Sequence, residues 1–293
     1  MYYAIASLAA IMFGVQFYLN DKYRQENGSG LVSVLIFTLI SGLVGIICLG
    51  AINKFDFSVT PYTAIMAFIS AFNSTICALC TLKSLDKVNL SVYSLFSMLG
   101  GMLLPFVAGI LLYSEALTVG NLSCAILVTV SLALTLKSGH GKGGEIYYIG
   151  IFIFNGLSGV LSKIYEESTY SKVSSGGYSL WIAIMSVLIT AVALLFMIKK
   201  VKIPTPKATA LAAGGGLLNR LANFLLLIAL AFLPASVQYP LITGGVIAAS
   251  TVISMLEGHR PSKKEIAALA LALLSVLVLF IEIEICTFDI SSL

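Results

Sequence analysis

The chain has 293 residues, of which 59% are hydrophobic and 10% charged, and its mean hydropathy is +1.01. A soluble domain carries about 25% charged residues, so this composition excludes a soluble domain of useful size. The net charge of +4 comes from lysines in short loops, not from a basic face, which argues against a nucleic-acid partner.

Met1–Asn20 is apolar but has no basic leader, and it reads as a retained first span. A spanning helix needs about 20 largely apolar residues. Ten stretches meet that need: Tyr2–Leu19, Leu31–Ile52, Tyr62–Leu82, Leu90–Tyr113, Asn121–Leu136, Ile146–Ser162, Tyr178–Met197, Ala208–Phe232, Ser236–Leu256 and Ile266–Ile281. Only Asp21–Gly30, Lys137–Glu145, Lys163–Gly177 and Lys199–Lys207 leave room for more than a tight turn. With no water to satisfy the backbone, such spans must be helices. The eighth and ninth divide at Leu233-Pro234-Ala235-Ser236, where Pro234 breaks a helix and Ser236 can cap the next. Spans five and ten are apolar nearly throughout and suit a lipid-facing position. Spans three, four, six, eight and nine carry amides, hydroxyls and paired glycines, which suit a protein interior or a cavity. The five cysteines include Cys77-x-x-Cys80, which sits mid-span without a histidine and reads as buried apolar packing, not a zinc site.

The second half echoes the first. Gly14 pairs with Gly156 at an offset of 142, Asn73 with Asn219 at 146, Ser91-Val92 with Ser236-Val237 at 145, and Gly100-Gly101 with Gly244-Gly245 at 144. Thr118 and Ser262, also 144 apart, each precede the closing apolar helix of their half. Five spans per half is an odd number, so the halves enter the membrane from opposite sides. The expectation is an all-α integral membrane protein with ten transmembrane helices in two inverted five-helix repeats. The first repeat covers 1–137, a linker 138–145 and the second repeat 146–293. Substrate sites in such folds lie near the midplane, where the repeats meet.

This pattern resembles the drug/metabolite transporter superfamily in its EamA-like branch. Leu8-Ala-Ala-Ile-Met-Phe-Gly14 is similar to that family's opening helix. Pro105-Phe-Val-Ala-Gly-Ile-Leu-Leu-Tyr-Ser-Glu115-Ala-Leu-Thr118 is similar to its fourth. Gly258-His259-Arg260-Pro261-Ser262 resembles the corresponding turn of the second half, with His259 where a glutamate is usual. The resemblance implies a basket of helices one to four and six to nine around a central cavity, with five and ten at the periphery.

All charged side chains but one lie between or at the edges of the apolar runs, and the exception is Arg220. A charge at bilayer depth costs roughly 3 kcal/mol on insertion scales. No acid lies mid-span to offset this one, so Arg220 is the leading candidate for a substrate contact, against a structural role on backbone carbonyls or snorkelling. Asn73, Asn219, Asn155 and Asn223 are candidate partners in the same site, or else interhelical glue. Ser91, Tyr93, Ser94, Gln238 and Tyr239 cluster at the starts of spans four and nine, where free N–H groups favour anions or ordinary caps. Gly100-Gly101 and Gly244-Gly245 suit close helix packing, whereas Gly214-Gly215-Gly216 suggests a hinge or break. Glu115 and His259 fit gate or helix-end roles.

No hydrolase, kinase or zinc signature is present, so neither an enzyme nor a bound cofactor or metal is expected. The expected function is a secondary transporter of a small polar metabolite, favouring an amino acid or related organic acid. The alternatives are an exporter of cationic drugs, which normally needs a membrane-embedded acid, and a non-transporting scaffold. The expected partners are substrate and lipid, in a multi-pass cell-membrane protein that is a monomer or weak homodimer. Loops after odd spans carry Lys22, Arg24, Lys83, Lys87, Lys137, Lys142, Lys199, Lys200, Lys202, Lys207, Arg260, Lys263 and Lys264; loops after even spans carry Lys54, Lys163 and Lys172. The positive-inside rule puts the first kind of loop in the cytoplasm and both termini outside, whereas the family resemblance implies termini inside.

Overall fold

The computed structural model describes residues 2–113, 145–201, 203–230 and 235–258, with parts of 123–130 and 262–278. The side chains of 227–241 fall outside that description. Eight long helices follow in order: α1 (Tyr2–Asn27), α2 (Leu31–Ile52), α3 (Pro61–Leu85), α4 (Leu90–Tyr113), α5 (Glu145–Glu167), α6 (Ser175–Phe196), α7 (Pro206–Leu230) and α8 (Ala235–Leu256). No strand occurs among the described residues. Among the described residues, six helical segments are long and apolar enough to cross a bilayer, from Ala4–Asn27 to Ser175–Phe196. The chain is therefore an all-helical protein of the membrane.

Local chemistry accounts for the helix ends. Thr60 caps α3, its hydroxyl accepting from Thr63 N at 3.2 Å, with Pro61 at the first helical position. Ser174 caps α6 through Gly177 N, and the Asn89 side chain accepts from Val92 N at 3.0 Å as α4 begins. Several predicted boundaries shift, two of them by five residues or more. α1 continues through charged residues to Asn27, because Asp21, Arg24 and Gln25 bond one another along the helix surface. The predicted Asp21–Gly30 connection thus shrinks to Gly28–Gly30. α5 likewise runs on to Glu167.

The helices form a ring in which early and late members alternate: α1, α7, α2, α6, α3, α5, α4, α8 and back to α1. Each strong contact has a counterpart when α1–α4 are exchanged for α5–α8. Contact α1·α7 matches α5·α3, α1·α8 matches α5·α4, and α2·α7 matches α6·α3. The match extends to residues. A methyl group on Gly14 would stand 2.7 Å from Ala249 Cβ, and one on Gly156 would stand 2.7 Å from Leu104 Cβ. Gly245 meets Ala10 of α1, while Gly100 meets the backbone of Phe152 on α5. These contacts pair Gly100 with Gly245, one residue later than the double-glycine alignment implied.

The triple glycine does not break α7, which is helical throughout Pro206–Leu230. Gly214 and Gly215 lie against Leu19 and Asn20 of α1, and a methyl on Gly216 would stand 2.8 Å from Ser41 Cα of α2. The glycines let three backbones approach, and the helix's own hydrogen bonds hold it straight.

The ends of the ring are tied by different chemistry. At one end, Arg24 pairs with Asp21 at 2.8 Å and Asp86 at 2.9 Å, Glu26 with Lys207 at 2.8 Å, and Lys22 with Glu257. The close of α1 is thereby bound to α3, α7 and α8. At the other end, Tyr165 stacks on Tyr178 with centroids 3.8 Å apart, and Tyr62 stacks on Tyr165 at 5.7 Å. Their hydroxyls find Thr63 and Ser70, and Trp181 donates to Ser58 O. Of the spans expected outermost, five and ten, only fragments are described. Ile126, Leu274 and Leu277 within them are exposed.

Candidate functional site

Arg220 lies midway along the 25-residue α7, and its side chain crosses the face of α2. A methyl group on Gly45 would stand 3.0 Å from Arg220 Nε and 3.5 Å from Ala183 Cβ of α6. Glycine at position 45 thus makes the room in which the guanidinium lies. Arg220 is half-buried, and it makes no hydrogen bond or ion pair with any described residue. A guanidinium presents five donors in a planar fork, and no described residue accepts from any of them.

The four asparagines separate into two kinds. Asn73 on α3 donates through Nδ2 to Phe154 O at 2.9 Å and Ser158 Oγ at 2.7 Å on α5, while its buried Oδ1 has no partner. Asn155 donates to Ser97 O of α4 at 2.7 Å. Both tie helices together. Asn219 and Asn223 are held only by each other: Asn223 Nδ2 donates to Asn219 O at 2.7 Å and lies 3.4 Å from Asn219 Oδ1. Asn223 is exposed.

The expected cluster at the start of α4 is turned into packing. Tyr93 is 3% exposed, meets Phe17 edge-on at 4.9 Å, and its hydroxyl lies 3.4 Å from Thr81 Oγ1. Ser94 accepts from Ser250 of α8 at 2.5 Å and donates to Ser91 O. Gln238 and Tyr239 lie on α8 with side chains outside the description, and Glu115 and His259 lie outside the described residues altogether. Cys48, Cys77 and Cys80 are free thiols, and no group of three metal-ligating residues occurs among the described residues.

Two polar residues of α1 escaped the sequence reading. Gln16 is 7% exposed and Asn20 3%, yet Gln16 Oε1 and Asn20 Oδ1 have no hydrogen-bond partner. The signal available was their four-residue spacing in the middle and late part of an otherwise apolar span. It was obscured because α1 turns polar at Asn20 in any case.

No family model matches the chain, and no curated protein is similar to it. Among solved structures, one described only as "Crystal structure of protein" superposes with a TM-score of 0.56, covering 93% of this chain and 95% of that one at 15% identity. Together the fold and its hydropathy define a multi-pass helical membrane protein. The likeness to the solved structure extends to fold alone.

Proposed function

We propose that the chain is a secondary transporter that moves a small polar metabolite by alternating access, with Arg220 binding the substrate's anionic group. The observation that carries this reading is a half-buried guanidinium midway along α7 without an acceptor among the described residues. Ionisable groups at bilayer depth usually mark a substrate or ion pathway, and a carboxylate meets the guanidinium fork bidentately. Asn219 and the free Oδ1 of Asn73 would contact the polar remainder, and an amino acid or related organic acid is the favoured ligand.

We read the architecture as ten helices in two inverted repeats, of the drug/metabolite transporter kind, in the cell membrane. The exchange symmetry of the helix contacts supports that reading, since two halves related by a two-fold axis must reproduce each other's neighbours. Glu115 and His259 would then stand at helix ends, as gate residues. Export of cationic drugs is disfavoured by the positive sign of the one deep charge.

The test is uptake into proteoliposomes. Arg220→Lys keeps the charge but loses the fork, and transport should fall by about 1.5–3 kcal/mol of binding, tenfold or more. Arg220→Ala should abolish transport. Normal transport by Arg220→Ala, or stabilisation by cationic compounds alone, would sink the anion site.

A further inference from the structure

The connection between α6 and α7 lies at the ion-paired end of the ring, since Lys207 at the start of α7 pairs there with Glu26 of α1. Its charges differ from those of its neighbours. Lys22 is met by Glu257, Arg24 by Asp21 and Asp86, and Lys207 by Glu26. Lys199 and Lys200 are exposed, and their side chains make no hydrogen bond or ion pair with any described residue. Lys202 adds a third charge in the sequence, and no acidic residue occurs between Glu167 and Glu257. Interleaved with these lysines are apolar side chains that the fold leaves bare. Phe196 is 88% exposed and Ile203 94%, and Leu195 and Ile198 are exposed as well. The backbone between them is fixed. Met197 N donates to Leu194 O at 3.0 Å, and Lys200 N to Met197 O at 2.8 Å and Val201 N to Ile198 O at 3.2 Å hold a single 3-10 turn over Ile198–Lys200.

α6 is one of the segments fit to cross a bilayer, its 22 residues measuring about 33 Å at the helical rise. Its last residue, Phe196, therefore reaches the layer where hydrocarbon gives way to headgroups. A phenylalanine and two isoleucines bared to water at that level would be costly. The bilayer edge takes such side chains and lets adjacent lysines reach phosphate oxygens. We propose that the α6–α7 connection binds anionic phospholipid headgroups. Phe196, Ile198 and Ile203 enter the acyl boundary, Lys199 and Lys200 meet the phosphates, and Lys202 adds to the local positive charge. The charge rule for orientation does not account for this arrangement, because it counts Lys22, Arg24 and Lys207 alike, and those are neutralised within the protein. An acidic soluble protein would satisfy the lysines but would have to compete for apolar side chains already level with the membrane surface. The inference is independent of the transporter reading of Arg220.

The probes are phosphatidylglycerol and phosphatidylcholine with brominated acyl chains, which quench tryptophan at close range. Phe196→Trp in a Trp181→Phe background puts the single tryptophan of the chain on the segment. Each lysine at an anionic surface is worth about fivefold in binding, so phosphatidylglycerol should be preferred in the quenching by roughly tenfold or more at low salt. High salt should reduce that preference. Lys199→Gln, Lys200→Gln and Lys202→Gln together should bring it near parity and leave the melting point in phosphatidylcholine unchanged. Lys22→Gln breaks an ion pair at the same end; it should lower the melting point in both lipids and keep the preference. The unlabelled wild-type chain gives a second reading: phosphatidylglycerol should raise its melting point more than phosphatidylcholine does, and the triple glutamine variant should lose that difference. Equal quenching by the two lipids would make the segment an apolar anchor only and overturn the proposal. Absence of quenching by either would put the segment in water or against another protein, and a preference that survives loss of the three lysines would assign it to other groups; each result overturns the proposal as well.

Discussion

At the scale of single residues, polar side chains inside this protein divide by whether their bonds are filled. Asn73 joins α3 to α5 by two hydrogen bonds in a buried setting. Asn73→Leu removes both bonds, leaves Phe154 O with the Ser158 hydroxyl, and fills the space with a branched apolar chain. We expect it to destabilise the detergent-solubilised protein by about 1–2 kcal/mol, near the upper end measured for interhelical bonds in membranes. Chemical denaturation read by the fluorescence of Trp181 would check this, and an unchanged midpoint would mean that the two bonds are worth nothing net. The same substitution at Asn219 removes no interhelical bond and should cost less. The sequence made these two asparagines look equivalent, since each is a mid-span amide on a matching helix. Only the neighbouring helix decides which amide finds a serine and which bonds only within its own helix.

At the scale of elements, close approach and end chemistry hold the ring together. A methyl group on Gly100 would overlap the backbone of Phe152, which cannot move aside as a flexible side chain could. Gly100→Ala should therefore cost about 3 kcal/mol or more, or abolish folded yield. Gly30, with nothing within 4 Å of an added methyl, should accept alanine within about 0.5 kcal/mol. Equal tolerance at the two positions, read by size-exclusion profile and melting point, would refute the packing account.

The ion-paired end carries a pH dependence. Partial burial works against the charge on Asp86, but the Ser29 hydroxyl and the Arg24 guanidinium outweigh it and hold that carboxyl below its usual range. Lys22 does the same for Glu257. Carboxyls lowered in the folded state stabilise it above their unfolded pKa, about 4, and lose that contribution as pH falls through the lowered values. The melting point should be flat from neutral to about pH 5 and fall below about pH 4. Asp86→Asn combined with Glu257→Gln should flatten the acid limb, and high salt at neutral pH should reproduce part of the loss. An acid limb unaltered in the double variant would assign it to other carboxyls.

At the scale of the whole molecule, the lysine-rich connections all lie on one side if ten spans cross. The charge rule then predicts that the segment Lys199–Lys207 is cytoplasmic. A cysteine introduced there in a cysteine-free background should resist an impermeant thiol reagent applied to intact cells, and rapid labelling would reverse the orientation.

The sequence by itself determined that the protein is helical and belongs in a membrane, because hydropathy acts locally: a run of about 20 apolar residues has nowhere else to go. It also determined where most helices start and stop, through caps such as Thr60 and Ser174, and it singled out Arg220 by the cost of a lone charge. The tertiary structure alone decided that α1 packs beside α7 and not beside α2, since the alternating ring joins residues more than two hundred positions apart. It turned Gly214-Gly215-Gly216 from a break into a three-helix contact, because a glycine run reads the same in sequence whether it loosens one helix or admits two others. It also left Gln16 and Asn20 as buried amides whose oxygens have no partner, since the pairing of a buried amide depends on the helix across from it, which no local pattern encodes.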